Sequence, residues 1–305
     1  MKPPGNALLT LLLILAMCAW GGSWTSGKLI AGAASPAVLT FWRFLATVVA
    51  FLPIVILRRK PLKIGGRALL QAVLGAICIV GYNRMFFRGL QTGLAGAGGV
   101  LVTTMNPILT SLFASLFFQR KLGARAIIGL ILGLIGGLIL LEIWAISPER
   151  LLQSGNAFFV VASICWALLT IISEKSKEHL PLLTFSFYVY GFSTVMDFFL
   201  TSPHDILLAL DYHAIFWLNI LYLAILATIF ATTIYFLASS RLGSGRASSF
   251  IFTVPASAVL ISWLVTDEIP KLVTIAGGLI GMGAVYLINS KTEERARIAL
   301  TDGGS

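Results

Sequence analysis

Windows of about 20 largely apolar residues, the length a helix needs to cross a hydrocarbon core, follow one another along the chain with short polar breaks between them. Ten can be read, over 7–30, 36–57, 68–88, 95–118, 124–143, 155–174, 182–201, 214–238, 247–266 and 271–289. The breaks carry charge, Pro or Gly, as in RRKPLKIGGR (58–67), QRKLGAR (119–125), ISPER (146–150), SEKSKEHLP (173–181), SPHDILLALDYH (202–213) and TDEIPK (266–271). None has room for a soluble domain. The pattern predicts an all-α integral membrane protein of ten transmembrane helices, with a polar tail carrying KTEERAR. Lys2 before an apolar run has the form of a cleaved leader. The run continues past Trp24 and nine comparable windows follow, so it is read as a retained first helix.

Composition agrees. The 305 residues are 58% hydrophobic and 11% charged, against about 25% charged in soluble domains. The net charge of +10 would suit a nucleic-acid binder, but the basic residues are not placed as one. With the N-terminus inside, the segments on that face hold 16 of them, the other face holds Lys28, Arg88, Arg150 and Lys271, and Arg43 and Arg84 lie within windows. Such a bias in short loops predicts a multi-pass protein of a bacterial inner membrane with both termini cytoplasmic. It places the charge beside anionic lipid; no nucleic-acid partner is needed. Cys18, Cys78 and Cys165 lie in apolar windows without metal-ligand spacing, and His179, His204 and His213 fall in or beside breaks. No metal site, cofactor or catalytic motif is implied. An intramembrane enzyme would need a nucleophile–base pair or ligands at depth.

A weak duplication runs through the windows. At an offset of 148, Pro107 falls on Pro255, Gly129 on Gly277, Gly133 on Gly281 and Leu140 on Ile288. Trp20 falls on Trp166, Leu39-Thr40-Phe41 on Leu183-Thr184-Phe185, and Phe86-Phe87 on Tyr235-Phe236, with small shifts in offset. This divides the chain into a five-helix repeat over 1–145, a second over 146–290 and a tail over 291–305. An odd number of spans per repeat inverts the second half. Inverted repeats are a common plan of secondary transporters, with a small-molecule site at the midplane between the repeats. A passive scaffold would not need one, and a channel would need a charged or carbonyl-lined ring. A monomer or weak homodimer is expected, with membrane lipid around it.

Several residues are candidates for the pathway. Gly129, Gly133 and Gly137, and Gly277 and Gly281, recur every four residues, a spacing that lets helix backbones approach. Pro107 and Pro255 sit mid-window and predict kinks; Thr103 and Asn106 accompany the first and Thr253 the second. Arg43, about 10 Å into its window, either binds a substrate carboxylate, satisfies helix-end carbonyls or pairs with an acid. Arg84 lies about one turn from an end and is expected to snorkel. Asp197 is the clear intramembrane acid, and no deep acid pair indicates proton coupling. Trp20 and Trp166 are too deep for an interfacial belt, and with Trp24, Tyr82, Tyr188 and Tyr190 they either pack the core or stack on a planar or cationic substrate. Ser23 and Asn83 complete the polar set. Trp20, Tyr82 and Trp166 are the expected cavity wall.

Taken together, AWGGSW (19–24), FWRF (41–44), Asn106-Pro107, the glycine ladders and Asp267-Glu268-Ile269-Pro270 resemble the drug/metabolite transporter superfamily, specifically its ten-span EamA-type exporters. The resemblance covers about 5–290. It implies two inverted five-helix repeats, a central cavity, alternating access, and export of amino acids or related metabolites. The aromatic amino-acid exporter branch is similar in its deep Trp and Tyr. Multidrug, cationic-compound, nucleoside and sugar-derivative transport stay open. One departure stands out: the acid that the family shows after the fourth span is present in the second half as Glu268, whereas the first half reads Gln119-Arg120.

Overall fold

A computed structural model describes residues 6–57, 64–118, 124–142, 144, 154–242 and 250–302. The basic breaks 58–63, 119–123 and 243–249 lie outside the described residues. Every apolar window holds helix. The helices are α1 (Asn6–Ala31), α2 (Pro36–Leu57), α3 (Gly66–Thr92), α4 (Ala95–Phe118), α5 (Ala124–Leu140), α6 (Asn156–Ser176) and α7 (Leu182–Phe199). They continue with α8 (Pro203–Leu208), α9 (Ala214–Leu221), α10 (Ala231–Leu242), α11 (Thr253–Thr266) and α12 (Leu272–Asp302). No strand occurs among the described residues.

Six helices are long and apolar enough to cross a membrane: Ala7–Ala31, Pro36–Leu57, Gly66–Thr92, Ala95–Phe117, Asn156–Ser176 and Ala214–Tyr235. A seventh span results if α7 and the short helical stretch after it count as one, bent by 112°. Ile127–Leu140, Thr253–Thr266 and Leu272–Leu287 are shorter apolar helices. The expectation of ten full-length spans is therefore corrected to six or seven. The break 202–213, expected to be a loop, is helical: Pro203 starts α8, where its missing N–H costs nothing, and a 3₁₀ turn over Ala209–Asp211 follows. Between α9 and α10 the chain winds as a π-helix over Tyr222–Phe230.

The two halves of the chain interdigitate. α1 packs on α11, α4 on α6 and α11, α3 on α6 and α7, α2 on α7, and α5 on α12. The largest buried cluster brings Trp24, Phe86, Phe87 and Leu101 from before residue 145 together with Phe159, Phe216 and Ile220 from after it. The repeat seen in the sequence is thus not a pair of bundles lying side by side.

Candidate functional site

Arg43 stands seven residues after the start of α2, roughly 10 Å along the helix axis. Its guanidinium lies over the Phe86 ring of α3, 5.7 Å from the centroid, within cation–π range. Its Nη2 donates a long hydrogen bond, 3.4 Å, to Thr228 Oγ1. Thr228 sits in the π-helix and donates to Leu223 O, five residues back, at 2.8 Å. Tyr190 of α7 is hydrogen-bonded to the same hydroxyl, and Tyr82 and Tyr190 lie close enough to the guanidinium to interact electrostatically with it. Tyr82 in turn packs on Trp166 of α6 at 4.8 Å and on Phe86 at 6.0 Å. Tyr190 rests on Phe44 at 5.6 Å and Phe51 at 6.2 Å. Five elements from both halves therefore meet at one cation.

No carboxylate pairs with Arg43 among the described residues. Arg84 makes the contrast. Its Nε and Nη2 donate to Asp197 Oδ1 of α7 at 3.0 and 2.6 Å, with side-chain exposures of 26% and 0%. The expected snorkelling is replaced by an ion pair across the halves, which is the better solution because an arginine at membrane depth costs about 2.5–3.5 kcal/mol. Arg43 has only ring faces and one hydroxyl, so most of its planar five-donor fork is uncommitted. That fork matches a carboxylate in shape and charge.

The other expected site residues are scattered. Trp20 donates Nε1–H to Ala227 O at 2.8 Å and packs on Tyr235 at 5.5 Å, away from the Tyr82–Trp166 pair but on the residue next to Thr228. Ser23 donates to Trp20 O at 2.6 Å, within its own helix. Trp24 is buried between Phe86 and Phe159 at 4.8 and 5.6 Å. Asn83 is buried and donates to Ile79 O at 2.9 Å, its Oδ1 unpartnered like that of Asn106. Thr103 bonds back to Gly99 O and Thr253, exposed, to Phe250 O. Tyr188 stacks on Phe192 at 6.0 Å. Pro107 lies inside a continuous α4. Pro255 is in the first turn of α11, after a 3₁₀ turn, where no helical hydrogen bond is lost; the expected mid-helix kink is instead a change of helix type.

Among the ladder glycines, Gly133 and Gly137 face Ile108 and Met105 of α4, whereas Gly277 faces Leu140 and Gly136 and Gly281 faces Thr104. The α5–α12 approach is carried by Gly136, whose absent Cβ would lie 3.0 Å from Gly277 O and 3.1 Å from Gly281 N. Gly129 is buried on α5.

One end of the bundle is closed by polar contacts. Lys28 Nζ caps α3 through Leu90 O and Gly93 O at 2.8 and 2.7 Å. Glu268 accepts from Ala95 N at 2.8 Å, Gly96 N at 3.3 Å and the Ser262 hydroxyl, placing a carboxylate at the N-terminus of α4, where the helix dipole favours it. Lys271 pairs with Glu142 at 2.7 Å, and Trp42 donates to Ile206 O at 3.2 Å. Gly155 has φ 74° and nests on α3; a Cβ there would lie 2.9 Å from Gly93 Cα. The first-half counterpart of Glu268, Gln119-Arg120, is outside the described residues. Among the described residues no cluster of His, Cys, Asp or Glu is arranged to hold a metal ion.

Sequence reasoning missed Phe86, Thr228 and Tyr190 as members of the Arg43 junction. Thr228 is the lone polar residue in LAILATIFA (223–231), which was a usable signal; the π-helix that aims it left none.

Comparisons with known proteins agree with this architecture. The EamA-like transporter family matches the chain twice, over residues 8–142 and 153–290. The uncharacterized transporter YyaM of Bacillus subtilis is 24% identical over 291 residues, 91% of this chain and 94% of that protein. An uncharacterized transporter of Archaeoglobus fulgidus is 23% identical, covering 95% and 100%. A probable amino-acid metabolite efflux pump of Salmonella typhimurium is 24% identical over 288 residues, 90% and 93%. A solved crystal structure, 17% identical, shares the fold with a TM-score of 0.58 over 95% of this chain and 99% of its own.

Proposed function

Because the chain belongs to the EamA-like transporter family, we propose that it exports small carboxylate-bearing metabolites, aromatic or other zwitterionic amino acids first among them, by alternating access. The observation that carries this is Arg43: a cation inside the bundle, at the meeting of both halves, flanked by aromatic rings and lacking an acidic partner. A substrate carboxylate satisfies its fork, and Tyr82, Phe86 and Trp166 offer faces to an apolar or aromatic side chain. The Salmonella relative's description as a probable amino-acid metabolite efflux pump supports the same substrate class. A cationic drug would meet the guanidinium's charge unshielded. A neutral nucleoside would leave its fork without a charged acceptor.

The ten-helix, inverted reading with boundaries 1–145, 146–290 and 291–305 rests on two supports. The family pattern recurs twice along the chain. In addition, the helix neighbours keep their pattern when the halves are exchanged: α1 on α11 becomes α6 on α4, while α2–α7, α4–α11 and α5–α12 map onto themselves. Both termini are placed in the cytoplasm by the basic breaks.

The test is counterflow with the purified full chain in proteoliposomes, comparing labelled phenylalanine, tryptophan and leucine with a nucleoside and a quaternary ammonium dye. Saturable uptake of at least one amino acid is expected, competed by free amino acids and not by their amides. Transport of the dye or the nucleoside with no amino-acid uptake would overturn the substrate class.

A further inference from the structure

A crevice of about 300 Å³ opens between α1, α9, the π-helix and α11, lined by Gly22, Thr25, Ser26, Asn219, Tyr222 and Ile261, with Leu29 and Leu218 at its rim. It is separate from the Arg43 junction, and nothing in the transport reading uses it. Its size is at the lower end for ligand sites.

The polar lining is neutral and mostly engaged. Ser26 donates to Asn219 Oδ1 at 2.8 Å, Asn219 Nδ2 donates one hydrogen to Ile215 O at 2.8 Å, and Tyr222 donates to Ala19 O at 3.1 Å. Two donors are left: the second Nδ2 hydrogen of Asn219 and the hydroxyl of Thr25. The Thr25 side chain lines the crevice, its residue is only 2% exposed, and its Oγ1 has no hydrogen-bond partner. A buried hydroxyl left in that state is unfavourable, so the crevice is shaped for an acceptor. With no charged side chain in the lining, that acceptor is uncharged.

The surroundings say where it comes from. Leu29 and Leu218 are 48% and 65% exposed, which for apolar residues on membrane helices means contact with lipid tails. Thr25 lies six residues before the end of α1, about 9 Å along the axis. That is the depth at which acyl chains give way to the glycerol esters of a bilayer.

We propose that the crevice binds one diacyl phospholipid, its ester carbonyls accepting from Thr25 and Asn219 and one acyl chain lying along Leu29, Leu218 and Ile261. The inference does not depend on the transported substrate. The test is native mass spectrometry and thermal unfolding of the purified full chain in detergent, titrated with a diacyl phosphatidylglycerol and with its diether analogue, which has the same headgroup and chains but no ester carbonyls. One retained diester lipid per chain is expected, with about fivefold weaker retention of the diether, the loss corresponding to about one net hydrogen bond. Thr25→Val should bring diester retention down to the diether level, and Thr25→Ser should keep it. Equal retention of both lipids by the unaltered chain would overturn the proposal and leave only a non-specific apolar rim or a water at Thr25. Displacement of the lipid by a transported amino acid would also overturn it, by making the crevice part of the substrate path.

Discussion

The two intramembrane arginines meet the same cost in different ways. Arg84 finds Asp197, 113 residues away on another helix, and the carboxylate's other oxygen, Oδ2, is buried without a partner. Removing the acid leaves a largely uncompensated cation, so Asp197→Ala is expected to destabilise the fold by about 3 kcal/mol, seen as a lowered unfolding midpoint in detergent. The double change Arg84→Leu/Asp197→Leu should recover most of that loss, because it removes the desolvation of both ions along with their attraction. Arg43 answers differently: its partners are a ring and a hydroxyl. The residue types of this scale were legible in sequence, since both arginines and the acid stand out in apolar windows. Their pairing was not, because nothing in a one-dimensional string says which helix faces which. Arg84 was assigned to the headgroups for that reason.

At the scale of elements, apolar periodicity located every helix yet misjudged how far several extend and which faces they use. The 214–238 window reads as one uninterrupted helix, and its π-helical middle has no sequence signature beyond a threonine. Such segments are rare and occur often at functional sites, here bringing Ala227 and Thr228 to Trp20 and Arg43. Glycine spacing pointed to Gly129, Gly133 and Gly137. In α5 apolar residues surround the helix, so spacing could not tell which glycine meets the other half, and Gly136 does. Gly136→Leu is expected to cost about 1–3 kcal/mol through overpacking against the α12 backbone, measured as loss of folded protein on heating. Gly283, which has nothing within 4 Å of its missing Cβ, is the control; Gly283→Ala should be neutral or stabilising by up to about 1 kcal/mol.

For the whole molecule, the decisive feature is that the halves interlock and are sealed at one end. Glu268 holds the α11–α12 connection onto the start of α4, and Lys271 ties it to Glu142. An alternating-access cycle has to release that end. Glu268→Ala removes a helix cap of about 1–1.5 kcal/mol, so a cysteine placed at Ala97, beside the cap, should be alkylated about tenfold faster in that background; an unchanged rate would show that the cap does not hold the end shut. The sealing residues were partly foreseen, since Glu268 stood out as an acid present in only one half. The interlocking was not, because offsets between repeats report likeness and not contact.

The claim on which the functional reading turns is that cargo binds at Arg43. It is tested most directly by measuring binding of the labelled amino acid that the protein transports to the purified chain, to Arg43→Lys, to Arg43→Ala and to Trp20→Ala, each first shown to keep its unfolding midpoint. Loss of a charged hydrogen bond of about 1.5–3 kcal/mol predicts at least tenfold weaker binding for Arg43→Ala, a smaller loss for Arg43→Lys, and little change for Trp20→Ala. Equal affinity of Arg43→Ala and the unaltered protein would contradict it and move the substrate site elsewhere in the bundle.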